Sequence, residues 1–180
     1  MDRLRRAAIL TRLIQELRKQ GSWCGETHIQ KATLFLQELL GVPLEFEFIL
    51  YKHGPFSFDL KDDLVGLRAD GLIHLEPQWP YGPQVKASEQ AAYIQKLYSR
   101  TLKNYERQIG FVAKKLGGKG VSDLERVATA YFVTDRFDLG PSVTRRAEKV
   151  SDLKPHIAID AAEAAVAEVD GILSEAAAYV

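Results

Sequence analysis

The sequence is poor in the residues that stabilise secreted and membrane-spanning proteins. It has one cysteine in 180 residues, Cys24, which excludes an internal disulfide framework, and beside Trp23 we expect this thiol to be buried rather than reactive. No apolar run approaches the roughly 20 residues that a membrane span needs, and Arg12 interrupts any signal-like apolar core near the start. These absences predict a soluble, cytoplasmic protein with no membrane partner.

Marks of catalysis and of metal or cofactor binding are also missing. The histidines are too scattered to gather metal ligands with cysteine or carboxylates: His28, His53, His74 and His156. The run Gly117-Gly118-Lys119-Gly120 superficially suggests a phosphate loop, but Ala113 stands where the first glycine should be and Gly120 replaces the Ser or Thr. No nucleophile elbow or dinucleotide fingerprint occurs. We therefore predict no metal, no cofactor and no enzymatic activity.

Charge is balanced over the whole chain but not along it. The formal net charge is zero. Residues 1–120 hold 18 Lys and Arg against 13 Asp and Glu, whereas residues 121–180 hold 6 against 11. Such an asymmetry is typical of a nucleic-acid-binding face beside an acidic one, and equally of two segments that attract each other.

Residues 51–73, YKHGPFSFDLKDDLVGLRADGLI, predict the core of a winged helix. Gly54-Pro55 makes a sharp turn, Ser57 can cap a helix, and Gly71 can end it in the left-handed conformation. His53 either braces the turn or switches its charge near neutral pH. The residues that form this structural motif are Tyr51, His53, Gly54, Pro55, Ser57 and Gly71.

Apolar periodicity and turn signals place the other N-terminal elements. They predict helices over residues 3–19 and 27–41, a strand over 45–51, and two wing strands over 72–76 and 84–87. Thr27 with Gln30 is in capping-box register, as is Ser122 with Glu125 farther along the chain. The fold class is therefore α+β and mostly helical. We predict a winged helix-turn-helix core with a small β-wing over residues 1–88, followed by a C-terminal helical annex.

Residues 89–180 are predicted to form a long helix and a helical bundle that packs on the first domain as one compact unit. The helix 89–116 carries a coiled-coil-like seam that either joins two subunits in a homodimer or packs on the C-terminal helices of the same chain. The seam consists of Tyr98, Leu102, Tyr105, Ile109, Val112 and Leu116. The opposite face is basic and is either a solvated face or a nucleic-acid contact.

Two features favour contacts with another protein. Trp79 and Tyr81 lie at the wing tip in a proline-braced loop, where large aromatic side chains usually meet a partner or a second subunit. The helix that follows Ser57 carries more acidic than basic residues, so DNA phosphates would repel it. The candidate partner contacts are Trp79, Tyr81, Asp59, Asp62 and Asp63.

Several segments together resemble the YwgA-like family of predicted winged-helix proteins and, more distantly, the Panacea antitoxin domains. The resemblance rests on Gln30-Lys31, YKHGPFSFDL, LRADGLI, LERVATAYFV and LKPHI, and it covers most of residues 10–175. The GP-[FY]-S block is its most specific part. The resemblance implies a bacterial or archaeal regulator or adaptor, associated with mobile elements, restriction systems or toxin neutralisation. It supplies no catalytic residues.

Two functional hypotheses follow from these observations. In the first, the protein is a winged-helix adaptor or an antitoxin-like, defence-associated regulator, which binds a basic protein partner through its acidic helix and aromatic wing. In the second, it is a DNA-binding transcriptional regulator that dimerises through the helix 89–116. The candidate nucleic-acid contacts are then Arg3, Arg5, Arg6, Arg12, Lys96, Arg100, Lys103 and Arg107.

Overall fold

The computed structural model describes residues 1–179, apart from the side chain of Tyr81. Within these residues the chain is mostly helical, with two small antiparallel sheets of two strands each, so the α+β class is confirmed. The helices are α1 (Arg3–Lys19), α2 (Glu26–Leu34, extended by a π-helical turn at Phe35–Leu39), α3 (Phe58–Ala69), α4 (Glu89–Leu97), α5 (Ser99–Leu116), α6 (Val121–Arg136), α7 (Val143–Leu153) and α8 (Ile159–Ala176). The strands are β1 (Ile49–Tyr51), β2 (Gly54–Phe56), β3 (Ile73–Gln78) and β4 (Tyr81–Ala87).

Helix α1 is the centre of the N-terminal half. Its apolar face, Leu10, Leu13, Ile14 and Leu17, is fully buried, as the i, i+3, i+4, i+7 spacing predicts. The helix packs on α2, α4, α5 and β4. Each of these side chains stabilises the fold by about 1.5–3 kcal/mol through burial, so α1 organises the elements around it.

The chain between α2 and β1 keeps the burial pattern of a strand without forming one. Residues 42–48 alternate between buried and exposed, but the predicted strand over 45–51 is hydrogen-bonded in a sheet only from Ile49. The side chain of Gln37 replaces the missing strand partner: its Nε2 donates to the Phe46 carbonyl oxygen at 2.7 Å, and its Oε1 accepts from the Phe46 N–H at 2.8 Å. A side-chain amide can in this way satisfy the backbone hydrogen-bonding groups of a buried segment.

Strands β1 and β2 form a short hairpin whose two-residue turn is Lys52-His53. The predicted turn at Gly54-Pro55 lies instead within β2, where Gly54 pairs with Tyr51 and has a φ of +81°. A left-handed residue next to a two-residue loop suits the right-handed twist of a hairpin. An added Cβ at Gly54 would also lie 3.0 Å from the Thr129 hydroxyl, so the hairpin sits directly on α6.

Helix α3 and the wing agree with the sequence pattern. Ser57 caps α3 by accepting a hydrogen bond from the Leu60 N–H at 3.2 Å, and the leucines at positions 60, 64 and 67 are buried. Gly71, with a φ of +71°, ends the helix, and β3 pairs with β4 in an antiparallel hairpin, for which we keep the name wing.

The predicted capping boxes are wrong. Helix α2 begins after Gly25 and α6 begins after Gly120, and neither has a side-chain cap. The residues expected to complete the two boxes are used elsewhere: Gln30 bonds both backbone groups of Ser57, and Glu125 faces two histidines and a lysine. Tertiary hydrogen bonds and ion pairs therefore outweigh local capping at both positions.

The predicted helix 89–116 is divided at Tyr98, which separates α4 from α5. Gln95 donates to Thr11 at 3.2 Å and to Gln15 at 3.1 Å, which ties α4 to α1, and α5 packs on α1 as well. The break at Tyr98 lets both α4 and α5 pack along α1. Within the seam, residues 109, 112 and 116 are buried in this chain, whereas residues 98, 102 and 105 are half-buried.

The C-terminal bundle covers the other side of the hairpin. Helices α6, α7 and α8 pack on one another, and α6 also packs on α2 and β2. Arg146, buried in α7, makes two hydrogen bonds to the Asp170 carboxylate on α8, at 2.6 and 2.8 Å. Across residues 1–179, none of the helices is both long and apolar enough to cross a membrane.

We predict opposite effects on stability for two Gly→Ala substitutions. Gly71→Ala forces a left-handed conformation on alanine and brings its Cβ 2.5 Å from the Gln90 side chain, so we expect a loss of about 1–2 kcal/mol. Gly171→Ala lies at an exposed, open position within α8, so we expect a gain of up to about 1 kcal/mol. Urea denaturation of both variants measures these changes. Equal effects at the two sites would contradict this account of Gly71.

Candidate functional site

The four arginines of α1 that were predicted to contact nucleic acid are engaged in ion pairs within the chain. Arg6 pairs with Asp63 at 2.9 Å and Arg3 with Asp70 at 2.5 Å, so α1 is linked to α3 by two charged contacts. The remaining two arginines pair within the N-terminal segment, Arg5 with Asp2 at 3.1 Å and Arg12 with Glu16 at 3.2 Å. Exposed pairs of this kind contribute only about 0–1 kcal/mol each, but they reduce the positive charge that α1 offers to a polyanion.

Of the candidate acidic contacts on α3, two remain exposed and unpaired within the described part of the chain. Asp63 is half-buried against Arg6, whereas Asp59 and Asp62 are exposed and form no ion pair. Val65, which is 61% exposed, lies one turn beyond Asp62. The outer face of α3 therefore presents two carboxylates beside an exposed apolar side chain, and Lys61 and Arg68 are exposed on the same helix.

A cluster of aromatic side chains adjoins this acidic face, and sequence reasoning did not single it out. Tyr51, Phe56 and Phe58 contact one another, with ring centroids 5.1–5.7 Å apart. Tyr51 is 51% exposed and Phe58 is 48% exposed. The sequence signal was the presence of these three aromatic residues within eight positions. The hairpin places residues 51 and 56 near the start of α3. We call these three rings the aromatic cluster.

The basic residues of α4 and α5 border a cleft against α1. The cleft, of about 610 Å³, is lined by Arg12, Lys19, Lys96 and Lys103, with Glu16 and Glu106 as the acidic residues. Among the described residues, Lys96, Arg100 and Lys103 are exposed and form no ion pair. Arg107 differs, because it donates to the Ala178 carbonyl oxygen at 3.1 Å and lies over the Tyr179 ring. Three of the four predicted contacts on this face thus keep their charge available.

The wing tip is exposed, but only one of its two candidate residues can be described. Trp79 is 95% exposed. The side chain of Tyr81 lies outside the described part of the structure, although its backbone begins β4. Trp79 therefore remains a candidate contact, separated from the acidic helix by the length of the wing.

Two buried lysines hold the β1–β2 hairpin by its carbonyl groups. Lys31, which is 1% exposed, donates to the Pro55 carbonyl oxygen at 2.8 Å. Lys154, which is 6% exposed, donates to the carbonyl oxygens of Tyr51 and Lys52 on the other strand and in the turn. Buried ammonium groups are costly unless they are paired, so both need compensating charge.

Glu125 supplies that compensating charge. Its carboxylate is 11% exposed and lies 3.8 Å from the Lys154 Nζ, 3.2 Å from the His156 Nε2 and 3.9 Å from the His53 Nδ1. Burial lowers the pKa of Lys31 from 10.5 to about 8, while Glu125 opposes this change. We call Lys31, Glu125 and Lys154, with His53 and His156, the hairpin clamp.

The hairpin clamp gathers residues that the sequence pattern had not connected with one another. Lys31, Glu125, Lys154 and His156 fall in the segments QK, LERVATAYFV and LKPHI that carry the resemblance, and all of them meet around YKHGP. Apolar periodicity could not identify these residues as buried contacts. A lysine beside an apolar helix face usually marks the edge of that face, because lysine side chains are mostly exposed. His53 lies at the turn beside Glu125, which fits the bracing role.

Comparison of the sequence with models of known protein families and with curated proteins finds no match. The resemblance to the YwgA-like family therefore stays a proposal. In the structure, the segments Gln30-Lys31, LERVATAYFV and LKPHI come together around the hairpin of YKHGPFSFDL. The exposed features lie on the adjoining α3 and on the α1–α5 cleft.

We predict that Lys31 gives the protein a component of stability that rises with pH. Between pH 8 and 10.5 the folded protein has lost the Lys31 proton whereas the unfolded chain keeps it, so the unfolded state binds more protons. The free energy of unfolding of the wild type, relative to Lys31→Met, should therefore rise over this window by up to about 3 kcal/mol. Urea denaturation at several pH values measures this difference.

Lys61→Met is the matched control for this measurement, because Lys61 is exposed on α3 and lines the same small cavity as Lys31. Its difference from the wild type should stay flat with pH. A flat or falling difference for Lys31→Met would show that Lys31 is not held in a desolvated site.

Proposed function

We propose that this protein is a winged-helix interaction adaptor, of the antitoxin-like or defence-associated kind that the resemblance to the YwgA-like family implies. The observation that carries the proposal is the exposed aromatic cluster beside the acidic face of α3. Solvent-exposed aromatic rings in mutual contact are typical of protein-binding surfaces, where aromatic side chains contribute much of the binding energy.

The order of the elements supports the winged-helix part of the proposal. Helices α1 and α2, the β1–β2 hairpin, α3 and the β3–β4 hairpin follow one another in the order expected for three helices, a short strand and a wing. In such a fold α3 would occupy the position of a recognition helix. Here its outer face carries Phe58 and Val65 among charges of both signs, which suits a protein partner better than DNA.

The chemistry of the surface defines the partner. Tyr51 and Phe58 are each about half exposed, and the face of an aromatic ring attracts the ammonium of lysine and the guanidinium of arginine. Asp59 and Asp62 offer carboxylates close to those rings, and Val65 extends the apolar contact along α3. The proposed partner is therefore a protein segment that carries basic side chains together with at least one apolar anchor. Trp79 on the wing would add a second, peripheral contact.

DNA binding is the second candidate, favoured by one observation: the cleft between α1 and α5. Lys96 and Lys103 line it, and Arg100 is exposed on α5. None of the three forms an ion pair among the described residues, so they could neutralise phosphates. In this alternative the protein is a transcriptional regulator. A homodimer would use the half-buried residues 98, 102 and 105, since the rest of the seam is buried within the chain.

The adaptor proposal is tested with two fluorescent peptide pools that share apolar residues but carry either Lys and Arg or Asp and Glu at the remaining positions. We expect the basic pool to bind and the acidic pool to fail. Phe58→Ala with Asp62→Lys should weaken binding of the basic pool at least tenfold, because both a ring and a carboxylate are lost. Fluorescence anisotropy gives the affinities.

Lys103→Glu is the control for this experiment, because it changes an exposed charge at the cleft between α1 and α5, away from the aromatic cluster. It should leave peptide binding unchanged. Equal binding of both pools, or an unchanged affinity in the Phe58 and Asp62 variant, would rule out this surface as the docking site.

A duplex-binding measurement separates the two candidates. The adaptor proposal predicts no salt-dependent binding of a generic DNA duplex by fluorescence anisotropy between about 50 and 200 mM salt, where phosphate contacts would cause a steep loss of affinity. Steep salt dependence that Arg100→Glu with Lys103→Glu abolishes would instead establish the DNA candidate. We choose these positions rather than Arg107 because Arg107 holds the C-terminal segment.

A further inference from the structure

The two strands of the β1–β2 hairpin direct part of their backbone outward, away from each other. Tyr51 and Gly54 are partners across the two-residue turn. In a hairpin of this kind the residues that flank the turn exchange their backbone hydrogen bonds, and bonded and non-bonded pairs then alternate along the strands. Leu50 and Pro55 form the next pair, so the N–H and C=O of Leu50 and the C=O of Pro55 point outward.

Helix α2 closes the outer edge of β2. Pro55 has no N–H, and its carbonyl oxygen accepts a hydrogen bond from the Lys31 Nζ at 2.8 Å, which agrees with an outward direction. Two residues farther along, the side chain of Gln30 bonds both the N–H and the carbonyl of Ser57, each at 2.9 Å. The outward backbone groups of this strand therefore have partners within the chain.

The outer edge of β1 remains open at Phe48 and Leu50. The alternating burial of residues 42–48 continues into β1, so the backbone of Phe48 faces the same edge as that of Leu50. Among the described residues, the N–H and C=O of Phe48 and the outward N–H and C=O of Leu50 have no hydrogen-bond partner. The edge ends at Phe46, which Gln37 bonds. We call the outward backbone of Phe48 and Leu50 the open edge.

The side chains beside the open edge do not protect it from another strand. Ile49 is 42% exposed and Tyr51 is 51% exposed, and both lie on the solvent-facing side of β1. Exposed strand edges are usually protected by lysine, proline or a bulge. Residues 44–51, LEFEFILY, contain neither lysine nor proline. An added strand would therefore find free backbone groups next to two exposed apolar side chains.

The charges at the two ends of the edge define the strand that fits. Glu47 lies on the same side as Ile49 and Tyr51, and it is exposed and forms no ion pair among the described residues. At the other end, Lys52 is exposed in the turn. A basic side chain is therefore attracted beside Glu47 and repelled beside Lys52, whereas apolar side chains suit the positions between them.

We propose that a strand of the partner protein adds to the open edge, antiparallel to β1, with apolar side chains beside Tyr51 and Ile49 and a lysine or arginine beside Glu47. This inference rests on the proposed adaptor function and specifies how the partner segment binds. Its backbone hydrogen bonds to Phe48 and Leu50 supply affinity, and its alternate side chains supply specificity. The antiparallel direction is chosen because it is the more stable pairing per residue.

The first test uses the wild-type protein and a peptide, Gly-Gln-Val-Ser-Val-Thr-Lys-amide, with a fluorophore on its N-terminus. In the proposed register the two valines lie beside Tyr51 and Ile49, and the lysine lies beside Glu47. The serine and the threonine then exchange backbone hydrogen bonds with Leu50 and Phe48. N-methylation of the serine and the threonine removes the N–H groups that face the edge, so fluorescence anisotropy should show about tenfold or more weaker binding.

The matched control peptide is N-methylated at the two valines instead. It carries the same number of methyl groups, but the N–H groups that it loses point away from the edge, so its affinity should stay within about twofold of the unmodified peptide. Side-chain docking without strand addition would not distinguish the two methylated peptides.

Amide hydrogen exchange followed by NMR locates the added strand. The unmodified peptide should slow exchange at the N–H groups of Phe48 and Leu50 about tenfold or more, because both become hydrogen-bonded. The Ile49 N–H faces β2 already, so its exchange should change little.

A variant of the protein tests the same contact from the other side. Leu50→Pro removes an N–H that takes no part in pairing with β2, as Pro55 shows for the opposite strand, and it should weaken peptide binding about tenfold or more. Leu50→Val is the matched control, because it keeps the N–H and should bind the peptide nearly as well as the wild type. Urea denaturation checks that both variants fold.

Equal affinities for the two methylated peptides, or unchanged exchange at Leu50 with saturating peptide, would overturn strand addition. So would failure of the unmodified peptide to bind while the basic peptide pool binds, and the adaptor proposal would then stand alone. Failure of both the peptide and the basic pool would overturn both proposals. Slow exchange at Leu50 in the free protein, together with a dimeric mass in sedimentation, would show that a second copy of this chain occupies the edge, and would also overturn the proposal.

Discussion

Two buried lysines donate hydrogen bonds to the β1–β2 hairpin, and this is the interaction on which the functional surfaces depend. Lys31 from α2 and Lys154 from the segment after α7 hold opposite sides of the hairpin by backbone carbonyl groups, and Glu125 from α6 balances their charge. Breaking such a buried arrangement by removing one partner costs several kcal/mol, since the remaining charge is left uncompensated. The clamp therefore couples the N-terminal half to the C-terminal bundle, in addition to the packing of α6 on α2 and β2.

The hairpin in turn positions the surface proposed for a partner. Gln30, next to Lys31, bonds both the N–H and the carbonyl of Ser57, which fixes the start of α3. Tyr51 and Phe56 come from the two strands of the hairpin and Phe58 from the first turn of α3, so the aromatic cluster forms only when these elements are fixed together. The buried hydrogen bonds of Gln30 and Lys31 thus determine the geometry of the exposed aromatic cluster.

The sequence predicts local structure better than it predicts how polar residues are used. The cap at Ser57, the end of α3 at Gly71, and the wing could be predicted because each depends on neighbours in sequence. The capping boxes failed because Gln30 and Glu125 found stronger distant partners. The hairpin clamp could not be predicted, because a buried lysine is recognisable only once the carbonyl that it holds is in place. The aromatic cluster required the turn to be placed at Lys52-His53 rather than at Gly54-Pro55.

Charge distribution decides which face of the molecule could meet a polyanion. Arg3 pairs with Asp70, and Arg6 pairs with Asp63. These ion pairs link α3 to α1, whereas Asp59 and Asp62 remain exposed to solvent. A DNA duplex that approached α3 would meet Asp59 and Asp62 together with Lys61 and Arg68, whereas one that approached α5 would meet Lys96, Arg100 and Lys103. DNA bound in this way would therefore lie against α5 rather than against α3. The pairing of Arg3 and Arg6 takes positive charge away from α1, and it leaves Asp59 and Asp62 as the free carboxylates that our proposal assigns to a basic protein segment.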